Sequence, residues 1–125
     1  MFYTGLMMGS LLPEGLWPYD DDDPQGGVIP RYEAHLKKQG RGDHWIPNQA
    51  YESRLVGFWV ALPPGCEGFG AAKLEGNCRW DLIPIKYEES IKRSKGLWGD
   101  FETWLVQTYG VRPTTPVLWM AELEM

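Results

Sequence analysis

The 125-residue sequence has only two cysteines and two histidines, and its first 30 residues contain no lysine or arginine. Cys66 and Cys78 are too few to staple a small scaffold, and they fit free thiols in a reducing compartment. No stretch approaches the ~20 consecutive apolar residues needed to span a bilayer. The opening residues 1–8 are apolar, but they lack the positive flank and small-residue cleavage site of a secretory leader. A cytoplasmic protein without a membrane segment is the expectation. Heptads, collagen-like triplets and internal repeats are also missing, which excludes coiled-coil, fibrous and solenoid classes.

Glycine, proline and tryptophan are plentiful, with fifteen, ten and seven residues respectively, so much of the chain must be turns and loops. Hydrophobic residues make up 43% and charged residues 23%, ordinary values for a globular chain. A chain of this length buries about two-thirds of its unfolded surface, enough for one core without metal or disulfide support. A single domain over residues 1–125 is expected, with a long acidic loop at 13–28.

The charge is segregated. Glu14, Asp20, Asp21, Asp22 and Asp23 account for the whole net charge of −5, and the chain from residue 31 onward is balanced. A neutral body with an acidic flank is poorly suited to a phosphate backbone, despite the basic cluster Arg31, Lys37, Lys38 and Arg41. Nucleic acid is therefore not the expected partner; a protein with a basic surface is.

Hydrophobic periodicity gives an order of elements. Residues 2–12 form an apolar run ended by Pro13 and predict a strand. Ile29, Tyr32 and Leu36 share one face of a short helix that starts at Pro30 and stops at Gly40. After Arg54, residues 55–62 are uncharged and apolar on both faces and predict a central strand, halted by Pro63 and Pro64. A further short strand is expected within 78–85. Leu97, Phe101, Trp104, Leu105 and Tyr109 mark the core face of a helix within 87–109, which Gly96 and Gly99 weaken enough to kink or divide. Residues 116–124 predict a final strand. The fold class expected from this order is α+β, with two helices on one face of a mostly antiparallel sheet of three to five strands. A ferredoxin-like arrangement is the simplest topology.

No residue set forms a convincing catalytic or metal constellation. Four consecutive aspartates followed by Pro24 cannot turn every carboxylate toward one cation, and a solvated loop is the plainer reading. Gly65-Cys66-Glu67-Gly68-Phe69-Gly70 lacks the Lys-Ser/Thr of a phosphate loop. It resembles the coenzyme-binding turn of small acetyltransferases, with Gly65 where that turn carries Gln or Arg. His35, His44, Cys66 and Cys78 are zinc-type residues without the spacing of a zinc module. Asp43-His44 is the first choice for a reactive histidine. No catalytic residue, metal or cofactor is assigned.

The aromatics divide. Trp59, Trp80, Trp98, Trp104 and Trp119 lie on predicted elements and belong to the core. Trp17, Tyr19, Trp45, Tyr51 and Phe69 lie in loops, where they either cap the core, the plainer reading, or anchor a partner. The candidate binding residues are Trp17, Tyr19, Asp20, Asp21, Asp22, Asp23 and Trp45.

The stretches Tyr51-Glu52-Ser53, Gly57-Phe58-Trp59-Val60-Ala61, Phe101-Glu102-Thr103-Trp104 and Leu118-Trp119 with Glu122 resemble segments of small proteins of bacteria and their phages. The resemblance covers about half the chain and brings no assigned activity. It implies an accessory or inhibitory protein of a mobile element. The functional expectation is thus a small acidic protein that acts by binding another macromolecule. The alternatives are a small enzyme holding a nucleotide or acyl cofactor at the 65–70 turn, and a structural subunit of a virion or secretion assembly.

Overall fold

The computed structural model describes residues 2–42, 44–50, 53–61, 72–73 and 88–124. They form strand β1 (Phe2–Leu11), helix α1 (Val28–Lys38), strand β2 (Asn48–Gln49), strand β3 (Leu55–Ala61), strand β4 (Ala72–Lys73), helix α2 (Glu88–Tyr109) and strand β5 (Val117–Glu124). The sheet order is β2-β3-β1-β5-β4 and every pairing is antiparallel. Both helices contribute to one core on one face of this sheet, so the class is α+β. β1 and β2 run parallel with β3 between them, and β3 and β5 run parallel with β1 between them. This order is compatible with the ferredoxin-like plan, to which β4 at the edge does not belong.

β2 and β4 fall outside the strands expected from the sequence. Two residues of pairing leave no hydrophobic period to detect, so only the neighbouring strands could reveal them. The strand expected within 78–85, together with Trp80, lies outside the described residues.

β1 is central because its side chains are wanted on both faces. Leu12, the residue just past β1, joins Val56 and Phe58 of β3 beneath the helices, while Met7 of β1 packs on the other side with Ala50, Leu55, Trp59 and Trp119. The close approach of β1 and β3 requires glycine where Gly9 faces Gly57. A Cβ on Gly57 would lie 2.7 Å from Met7 Cγ and 2.8 Å from Gly9 Cα. Trp119 fastens β5 to the same place, its Nε1 donating to the Gly9 carbonyl at 3.0 Å.

α1 begins two residues before the expected Pro30. The N–H groups of Val28 and Ile29, which a helix start leaves without partners, donate to the carbonyls of Trp17 and Pro18, both at 3.0 Å. Pro30 then sits in the first turn, where its missing N–H costs nothing. The helix ends in a Schellman motif: Gly40 takes φ 71°, its N–H reaches Lys37 O at 3.1 Å, and Arg41 N–H reaches Leu36 O at 2.8 Å.

α2 runs unbroken through Gly96 and Gly99. Its buried residues Ile91, Ser94, Trp98, Phe101, Trp104 and Leu105 straddle both glycines, which face open space. Trp98 is buried, as are the expected Phe101, Trp104 and Leu105, while Leu97 packs half-buried beside the core. The Trp98 Nε1 donates to the Glu102 carboxylate at 3.1 Å. Tyr32 of α1 meets Phe101 and Trp104, each at a ring separation of 5.0 Å. Truncating Phe101, fully buried in this cluster, would remove about 3–5 kcal/mol of stability. Among the described residues, no helix is long and apolar enough to cross a membrane.

Candidate functional site

The loop between β1 and α1 is closed by its own backbone. Asp20 N–H donates to Gly26 O at 2.9 Å, Gly26 N–H to Asp23 O at 2.9 Å, and Asp23 N–H to Asp20 O at 3.1 Å. Asp23 is the clamp. Its Oδ1 accepts from Arg31 Nη2 at 2.6 Å and from Gln25 N–H at 3.0 Å, and its Oδ2 accepts from Arg31 Nε at 2.7 Å and Gly27 N–H at 3.0 Å. The hydrogen-bonded Arg31 guanidinium, helped by the backbone donors, holds the Asp23 carboxyl far below the usual carboxylate range. The four aspartates are therefore not equivalent. Asp23 is neutralised within the fold, Asp21 and Asp22 are exposed, and Asp20 is half-buried with Oδ1 accepting Asp22 N–H at 2.9 Å.

This closed loop holds Trp17 and Tyr19 outward, 49% and 53% exposed. Neither caps the core, the plainer sequence reading; from this loop Leu16 packs against the core instead. Trp17, Asp20, Asp23, Arg31 and Tyr109 surround a shallow hollow of about 220 Å³ at the C-terminal end of α2. Partial burial pushes the Tyr109 hydroxyl upward; the nearby Arg31 opposes this shift and Asp23 adds to it.

Trp45 is elsewhere. It is 51% exposed and lies under Arg93, whose guanidinium carbon is 4.4 Å from the indole centre. Trp45 lines one hollow of about 300 Å³ with Leu97 and Arg93, and another of about 330 Å³ with Asn48 and Trp59. His44 borders both. Trp45 meets Arg93 and the acidic loop meets Tyr109, two positions sixteen residues and about 24 Å apart along the α2 axis. The structure thus separates two groups of residues that the sequence could only pool.

The remaining candidates are dispersed. His35 packs beside the Tyr32–Trp104 pair, with ring centroids at 6.2 and 6.0 Å, whereas His44 is exposed beside Trp45. Asp43, Tyr51, Cys66, Cys78 and the 65–70 turn with Phe69 lie outside the described residues. No group of three or more His, Cys, Asp or Glu side chains among the described residues is placed to hold a metal. Most of the basic cluster noted in the sequence is paired: Arg31 with Asp23, Lys37 with Glu33 at 3.0 Å, and Arg41 with Asp100 at 3.5 Å.

Two features of the site carried no sequence signal. Tyr109 reads as a core position at a helix end, yet it also walls the hollow. Arg31 reads as one of four free cations, yet it shapes the acidic loop. Comparison with protein-family models, curated proteins and solved structures finds no match.

Proposed function

We propose that this protein is a binding module that captures a protein partner through the loop between β1 and α1. The observation that carries the reading is the Asp23–Arg31 clamp: it fixes a loop whose outward groups are Trp17, Tyr19, Asp20, Asp21 and Asp22. Ordering a loop in advance lowers the entropy lost on association. Exposed aromatics bury large areas at low rotamer cost, and carboxylates at the rim steer a basic partner toward them. Pairing of Arg31, Lys37 and Arg41 with acids weakens the positive field of the basic cluster beside the loop, which favours protein over nucleic acid as the partner of this loop. The form proposed for the capture is that of a cytoplasmic accessory or inhibitory protein of a phage or other mobile element, on the resemblance of its segments.

The test substitutes Asp20, Asp21 and Asp22 together with asparagine while keeping Asp23, so that the clamp stays closed. Association with the captured partner should slow about tenfold at low ionic strength, and the difference should shrink as salt rises. An unchanged association rate at low salt would remove the loop from the contact.

A further inference from the structure

Resting on that reading of the loop, we propose that the hollow beside it receives one arginine side chain of the partner, with its guanidinium against Trp17 and Tyr109 and hydrogen-bonded to Asp20. At about 220 Å³ the hollow is smaller than the roughly 300–1,000 Å³ of small-molecule sites, a size suited to one side chain rather than a cofactor. Its lining includes two aromatic side chains, Trp17 and Tyr109, beside Leu16 and Val28, and aromatic rings attract a planar guanidinium better than an ammonium.

The charges around it set the sign of the guest. Arg31 lines the hollow, but both edges of its bond to Asp23 are satisfied, so that pair contributes no net charge. Asp20 is left to decide. Its Oδ1 holds the Asp22 N–H, and its Oδ2 accepts no hydrogen bond among the described residues. An anion would meet Asp20 with Asp21 and Asp22 close by, and an apolar guest would desolvate the Asp20 carboxylate without replacing its water. A cation satisfies both the carboxylate and the rings. The entrance is open at Gly15, where even an added Cβ would meet nothing within 4 Å.

The experiment uses the full chain and small probes. N-acetyl-argininamide, N-acetyl-lysinamide and N-acetyl-norleucinamide are titrated separately while the amide resonances of Gly15, Trp17 and Gly27 are followed. Argininamide should give saturable shifts at these amides, lysinamide weaker binding, and norleucinamide none. Asp20→Asn, which keeps an acceptor for the Asp22 N–H, and Trp17→Ala should each weaken argininamide about tenfold. Unmoved resonances in the helices show that both variants remain folded. The proposal is overturned by any of four results: no saturable shift with argininamide, an equal shift with norleucinamide, lysinamide binding more tightly, or both variants binding as wild type. If the argininamide arm fails while the triple asparagine variant still loses the partner, the arginine pocket falls and the loop reading stands.

Discussion

At the scale of single residues, Asp23 shows how one carboxylate can be removed from an acidic run. Asp21 and Asp22 are exposed, while four donors converge on the two oxygens of Asp23. Because the folded carboxyl titrates far below its unfolded value of about 4, folding favours the ionised form. That contribution is complete above the unfolded value and is lost as pH falls toward the folded one. Urea midpoints of the wild type should therefore decline as pH is lowered below about 4. Asp23→Asn should be less stable than wild type at pH 7 and show a shallower acid decline. Parallel pH profiles for the two proteins would show that the clamp contributes nothing.

At the scale of elements, α2 holds together because its apolar side chains reach the core on both sides of its two glycines. Propensity sums treat Gly96 and Gly99 as weak points, but the packing of Ile91, Ser94, Trp98 and Phe101 fixes the backbone there. Each glycine is exposed, in helical backbone, with no atom within 4 Å of where a Cβ would stand. Gly96→Ala and Gly99→Ala should each stabilise the protein by about 0.5–1 kcal/mol, read as a higher urea midpoint with an unchanged slope. A loss of stability in either would mean that the glycine is needed for a bend that the continuous helix does not show.

At the scale of the whole molecule, the two helices act as a spacer between unlike ends. One end carries the acidic loop with Trp17 and Tyr19; the other carries Trp45 against Arg93, with exposed Lys92 and Lys95 nearby in sequence. With their α2 contacts Arg93 and Tyr109 about 24 Å apart along the helix axis, the two ends should behave independently. Trp45→Ala should leave the amide resonances of residues 15–27 in place and alter partner association less than twofold. Its stability effect should add to that of the triple asparagine variant within about 0.5 kcal/mol. A larger deviation in urea denaturation of the combined variant would show that the ends communicate.

The long elements were legible in the sequence because burial imposes a period on side chains. The apolar runs of β1 and β3, the i, i+3, i+7 face of α1 and the stripe of α2 all state which side must leave water. The segregation of negative charge was equally local information, since net charge needs no fold to be counted. The two-residue strands were not legible, because their pairing is supplied by Gly57 and Val56 of β3 and by Met120 and Trp119 of β5 rather than by any pattern of their own. Nor could a linear reading tell Asp23 from Asp20, Asp21 and Asp22, or place Tyr109 beside Trp17. Those distinctions depend on α1 and α2 packing so that the end of one helix lies against the start of the other. Hydrophobic periodicity fixes which faces are buried; only chain packing brings together side chains some 90 residues apart.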